Sequence, residues 1–141
     1  MTTLTARSWE EIRGYYLSFG EGPWLAHHRP MLELIAWLEE EVPNEIFGSV
    51  GISGLYLSDR AQFGWCEHML QITMMPTPGF VLFEYHRAAG STDGMRKQVS
   101  VHESVESLRQ FLAYKFGVHR PVKKEANQAL EPTAPSGRGS S

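Results

Sequence analysis

The chain has one cysteine, Cys66, in 141 residues. A lone cysteine cannot close an intrachain disulfide, and such usage fits a reducing compartment. No apolar stretch approaches the roughly 20 residues that a membrane-spanning helix needs. The opening MTTLTARSWEE has no apolar segment of the kind that begins a secreted chain. We therefore expect a cytoplasmic protein that stays out of the membrane. Clustered cations are missing too. The formal charge is −3 and the isoelectric point is near 6.1. Three of the 13 bases (Lys123, Lys124, Arg138) but only two of the 16 acids (Glu125, Glu131) lie beyond residue 120, so the preceding residues are more acidic than the whole chain. Phosphate backbones are gripped by clustered Lys and Arg, so nucleic acid is not an expected partner. Gly48, Gly51 and Gly54 recur at intervals of three, but in a strand-like stretch that opens no helix. They fail the context that a phosphate-cradling glycine loop requires.

What is present is helical periodicity at both ends and strand periodicity between. Ser8 and Glu11 have the spacing of a capping box, in which serine side chain and glutamate side chain satisfy each other's backbone amides. Trp9, Ile12, Tyr16 and Phe19 follow at helical intervals, with Gly20 as a natural terminator. The pattern predicts a helix over 8–19. Residues 20–29 (GEGPWLAHHR) read as a loop, and Pro30 as the first turn of a second helix. Met31, Leu34, Ile35 and Leu38 make its apolar stripe, which Glu39, Glu40, Glu41 and Pro43 end. Leu32 and Trp37 lie outside that stripe, which implies packing against two neighbours or a subunit interface.

From residue 47 the period falls to two. FGSVGISGLYLSD alternates Val50 and Ile52, then changes phase to Leu55 and Leu57, which predicts one strand with a bulge at Gly54. Residues 68–75, 79–87 and 97–102 read as three further strands, joined by PTPG and by AAGSTDG. Leu70, Ile72, Val81, Phe83, Val99 and Val101 then point one way. A third helix follows, capped by Ser104, lined by Val105, Leu108, Leu112 and Phe116, and closed by Gly117. The predicted fold is α+β. It has an antiparallel meander of about four strands, helices on one face, two helices N-terminal and one C-terminal. Residues 1–119 are expected to form one domain, and 120–141 a disordered tail without aromatic residues.

Within that tail, ANQALEPTAPSGRGSS (126–141) resembles the C-terminal tails of many otherwise unrelated bacterial proteins encoded on integron gene cassettes. The resemblance covers only these residues. It implies an accessory product of a mobile cassette, a class rich in toxin–antitoxin components and resistance functions, and it implies nothing about the chemistry of residues 1–119.

The most reactive-looking cluster is Cys66-Glu67-His68, with thiol and imidazole on one face if the segment is a strand. No family signature surrounds the cysteine, and free cysteines are commonly small core residues, which is the favoured reading. Six histidines (His27, His28, His68, His86, His102, His119) show none of the paired spacings of a zinc site, so no metal and no cofactor are expected. His27 and His28, adjacent in the presumed loop, should diverge. On the meander's second face, Gln71, Thr73, Glu84, His86, Ser100 and His102 form a polar row, interrupted by Met69, Met75, Phe80 and Leu82. Such a face is either solvated or partly covered by a subunit or ligand. Loop 58–67 adds Asp59, Arg60, Phe63 and Trp65. Aromatic and Arg side chains there suit recognition, unless they fold back over the sheet edge.

These residues predict a non-catalytic binding module. It would be a homodimer that engages a protein partner or small ligand through Gln71, Thr73, Glu84, His86, Ser100, His102, Arg60 and Trp65. An immunity or antitoxin-like role suits the acidic balance, because acidic surfaces steer onto basic partners. The alternative is a small enzyme with Glu84 and His86 as an acid–base pair in a pocket between sheet and helices.

Overall fold

A computed structural model of the chain describes residues 3–18, 22–51, 54–65, 67–88 and 94–120. Helix α1 (Trp9–Leu17) begins where the capping box puts it: Ser8 Oγ accepts from the Glu11 amide and the Glu11 carboxylate accepts from the Ser8 amide, both at 3.1 Å. It buries Ile12 and Tyr16. The expected Phe19–Gly20 end lies outside the described residues.

Helix α2 spans Pro23–Glu41, so it starts about two turns before the expected Pro30. Pro23, rather than Pro30, takes the first-turn position where a missing amide costs nothing. Pro30 lies inside the helix and leaves the Ala26 carbonyl without its usual helical donor. An interior proline costs about 3 kcal/mol. Four side chains beyond it (Met31, Leu34, Ile35 and Leu38) are fully buried, at about 1.5–3 kcal/mol each. Burial wins, and the helix runs on. Leu32 and Trp37 rest on this same core, which removes one reason for expecting self-association.

Seven strands occur among the described residues: β1 (Thr3–Thr5), β2 (Phe47–Gly51), β3 (Gly54–Ser58), β4 (Gln62–Gly64), β5 (Met69–Met74), β6 (Phe80–His86) and β7 (Met95–Ser100). The main sheet has five of them, not four, in the order β2-β3-β5-β6-β7 with every neighbour antiparallel. The extra strand comes from the 47–58 stretch. Gly51 pairs with Gly54 and Val50 with Leu55, so the phase change is a chain reversal and not a bulge. Gly54 has φ +128°, and a Cβ there would stand 2.3 Å from the Ile72 carbonyl oxygen. Only glycine fits this close approach of β3 to β5.

One face of the sheet carries Leu55, Leu57, Leu70, Ile72, Val81, Phe83, Tyr85 and Val99, and these share one core with Ile12, Met31, Leu34, Leu38, Leu108 and Leu112 from the helices. Phe83 stacks on Phe111 at 5.5 Å and 7°. The fold is α+β, with all three helices on this face. The second face is not simply polar. Met69 is fully buried there with Tyr56 and Phe63, and Leu4 and Trp65 lean on them. A ribbon of β1 and β4, pairing Leu4 with Phe63, covers that end of the sheet. The cover is this chain itself.

Helix α3 (Ser104–Phe116) follows a single 3-10 turn, Val101–Glu103. Ser104 is not its cap. Glu103 holds that position, and the Ser104 hydroxyl donates to the Val101 carbonyl at 2.8 Å. Gly117 closes the helix as expected, with φ +70° and a Val118 amide donating to the Leu112 carbonyl at 3.1 Å. Arg120 then bonds the Glu41 carbonyl and pairs with Glu45, tying the end of the described chain to α2. The expected tail beyond it lies outside the described residues. No helix among the described residues is long and apolar enough to cross a membrane.

Candidate functional site

Where α1 and α2 meet the β2–β3 end of the sheet, they leave a cleft of about 380 Å³. One wall is helical. Tyr15 and Tyr16 come from α1, and Trp24, His27, His28 and Met31 from the first turns of α2. The opposite wall is the sheet end, with Gly51, Gly54, Thr73, Met74 and Pro76. Two backbone features shape it. The early start of α2 at Pro23 puts Trp24 and His28 one turn apart on one helical face, and Gly51 and Gly54 line the sheet wall without side chains of their own.

The rings form a connected set. Trp24 and His28 lie 4.3 Å apart, His27 meets His28 edge-on at 5.1 Å, Tyr16 lies 5.9 Å from His28, and Tyr15 meets Tyr16 edge-on at 5.4 Å. The expectation that His27 and His28 diverge in a loop is corrected: both are helical and their rings touch. His28 Nδ1 lies 3.1 Å from the Trp24 carbonyl oxygen. A carbonyl only accepts, so Nδ1 carries the proton and Nε2 of the neutral ring is an acceptor. Burial, reinforced by neighbouring Tyr15 and Tyr56, pushes the Tyr16 phenol far above its usual range, so it is a neutral hydroxyl across physiological pH. The cleft is thus lined by aromatic faces, imidazole and the Tyr16 and Thr73 side chains. Trp24 is half exposed at the mouth.

Of the residues predicted from sequence, Gln71, Glu84 and His86 are neighbours on one sheet face, and the others are dispersed. Gln71 and Glu84 pair across β5 and β6, and Glu84 and Arg96 across β6 and β7. Glu84 lies 3.9 Å from the Arg96 guanidinium, and His86 Nε2 contacts Gln71 Oε1 at 3.2 Å. Glu84 and His86 therefore share a face, each beside a different partner. Thr73 alone of the set reaches the cleft. Ser100 pairs with Phe80 at the far end of β6, and His102 is exposed in the 3-10 turn. Arg60 lines a small separate cavity of about 100 Å³ with His68 and Arg87. Trp65 meets Tyr56 edge-on at 5.0 Å, folded back over the sheet.

Cys66 lies outside the described residues. Its neighbour His68 has a left-handed φ of +49°. Its Nδ1 lies 2.6 Å from the Tyr85 hydroxyl, its Nε2 is 3.5 Å from Asp59, and its ring lies 4.6 Å from Phe116. His68 serves as a clamp between the loop and the core. No group of three or more His, Cys, Asp or Glu side chains is close enough to share a metal ion among the described residues.

Tyr15 and Met74 were not predicted as site residues, His27 was weighed only as a metal ligand, and Tyr16 was read only as core. The legible signal was Gly22-Pro23 as a helix start, which places Trp24 and His28 at i and i+4. Comparison with protein-family models, with curated proteins and with solved structures finds no match to this chain.

Proposed function

We propose that the protein is a non-catalytic binding module whose cleft takes a small, flat, largely apolar molecule with one or two hydrogen-bonding groups, best suited by an aromatic heterocycle. The observation that carries this reading is the convergence of Tyr15, Tyr16, Trp24, His27 and His28 around about 380 Å³. That volume falls within the roughly 300–1,000 Å³ of small-molecule sites, which are likewise mostly apolar with a few placed polar groups. Flat faces reward stacking, and the polar side chains among them include His28, Tyr16 and Thr73. Catalysis by Glu84 and His86 has less support, since the carboxylate faces Arg96 and the imidazole faces Gln71. The folded-back Trp65 likewise favours the cleft over the 58–67 loop.

The test is a fragment screen of aromatic heterocycles against protein carrying ¹³C-methyl methionine, followed by NMR. Met31 and Met74 line the cleft and report its occupancy, while Met69, on the other side of the sheet, is an internal control. Hits that shift Met31 and Met74, and lose affinity in Trp24→Ala, bear the proposal out. Shifts centred on Met69, or no hits from the screen, overturn it.

A further inference from the structure

A second surface, on the opposite edge of the sheet, has the features of a peptide-docking site. The main sheet ends in β2 and β7, and the two edges are treated differently. At β2, Arg7 bridges to Gly48, its amide donating to the Gly48 carbonyl at 2.8 Å. At β7, β6 is the sole sheet neighbour among the described residues. Along this six-residue edge strand, alternate residues direct their N–H and C=O groups outward, over about 20 Å.

Beside that edge runs a groove of about 400 Å³ between β7 and α3, lined by Met95, Lys97, Gln110, Phe111, Tyr114 and Lys115. Its floor includes Phe111, which is stacked on the fully buried Phe83. Its rim is apolar and exposed, Met95 at 48% and Tyr114 at 87%. The charged side chains lining it are both lysines, Lys97 and Lys115. On a chain of net charge −3, this is a locally cationic, aromatic groove along an open strand edge.

We propose that β7 and this groove dock an extended acidic segment of a partner protein by strand addition. Main-chain bonds to β7 would supply affinity, and alternate side chains would read the groove. Side chains two apart share a face. The fitting pattern is therefore an apolar or aromatic anchor at one position, seated against Met95, Phe111 and Tyr114, with carboxylates two residues to either side for Lys97 and Lys115. A second copy fits less well. Full-length antiparallel pairing of β7 with itself sets Arg96 opposite Val99 and Lys97 opposite Gln98, and the strand brings no carboxylate to meet the lysines.

The experiment uses the full chain and a fluorescein-labelled hexapeptide, Asp-Val-Phe-Val-Asp-Val, read by fluorescence anisotropy. Two controls accompany it: the same peptide with both Asp replaced by Lys, and one N-methylated at alternate residues so that it cannot pair with a strand. The expected result is saturable binding that weakens at least tenfold for each control, and at least tenfold in both Lys97→Glu and Tyr114→Ser. Both side chains are on the surface, so the variants' melting temperatures should match the parent. Hydrogen exchange at 95–100 should slow on binding. Equal affinity for the Lys peptide or the N-methylated one, or no binding, overturns the proposal. So does light scattering that gives a dimer whose β7 amides are already protected without peptide, since the occupant is then a second copy.

Discussion

Replacing Gly54 by alanine adds one methyl group to a 141-residue chain, and the structure assigns that methyl a large cost. The added Cβ would lie 2.3 Å from the Ile72 carbonyl oxygen and 3.0 Å from Thr73 Oγ1, at φ +128°. A side chain in that region of backbone space costs of order 1–3 kcal/mol. The carbonyl contact involves backbone of the adjacent strand, so relief requires β3 to move off β5, sacrificing at least one ladder hydrogen bond worth about 1 kcal/mol. Alanine returns about 0.4–1 kcal/mol by restricting the unfolded chain. The net loss is roughly 2–3 kcal/mol, a large part of the about 5–15 kcal/mol that stabilises a domain. Urea unfolding followed by circular dichroism should show the midpoint falling by roughly 1–2 M with an unchanged slope. Gly14→Ala is the matched control. On α1 the new methyl meets nothing within 4 Å, and helix propensity predicts a gain of about 0.5–1 kcal/mol. Opposite signs for the two variants are expected. A Gly54→Ala midpoint within about 0.3 M of the parent would mean that β3 is not held against β5 as described, and the sheet wall of the cleft would go with it.

Trp24→Ala should separate binding from folding: the ring is half exposed, so stability should change by about 1 kcal/mol or less, while heterocycle binding measured by titration calorimetry weakens at least tenfold. Burial raises the Tyr16 phenol well above its unfolded value, so its contribution is present below about pH 10 and is lost as pH rises toward the folded value. Alkaline melts from pH 9 upward should therefore fall less steeply in Tyr16→Phe than in the parent. Glu106 moves the other way, lowered chiefly by its hydrogen bond from Arg109, so its contribution holds above the ordinary carboxylate range and fades as pH falls through the lowered value. The pair is 41% exposed on the glutamate side and should contribute only about 0.3–0.5 kcal/mol, seen as a slightly shallower acid limb between pH 5 and 3 for Glu106→Gln.

Local signals in the sequence were legible and the nonlocal ones were not. Ser8–Glu11 and Gly117 act through backbone groups within one turn, so three or four residues suffice to read them. The start of α2 was ambiguous because two prolines, Pro23 and Pro30, each satisfy the first-turn rule. The choice is settled by burial further along, which turns an interior proline from a breaker into a tolerated cost. The 47–58 stretch was ambiguous for a different reason. A bulge and a two-residue reversal shift the alternation identically, and only the pairing of Val50 with Leu55 tells them apart. Strands β1 and β4 are three residues each, below the length at which alternation can be seen. Missing them left Met69 stranded on a face that looked polar.

The site was less legible than the fold because it belongs to no single element. Its walls come from residues 15–31, 51–54 and 73–76, and no periodicity within any one of these says that the three meet. Sequence reasoning grouped Gln71, Glu84 and His86 because one strand pair carries them, and in doing so favoured polarity over shape. The structure brings these residues together, but they face one another and Arg96 across a sheet surface. Concavity arises where the helix layer and the sheet diverge, at the Gly51–Gly54 hairpin end, and there the exposed chemistry is aromatic. One early step hid this. Once GEGPWLAHHR was read as loop, Trp24 and His28 had no common face, and two adjacent histidines had no reason to touch. Begin the helix at Pro23, and the i, i+4 pair, the neighbouring imidazole and the buried Met31 fall along one side of α2. The error in secondary structure was seven residues long, and it concealed the helical wall of the cleft.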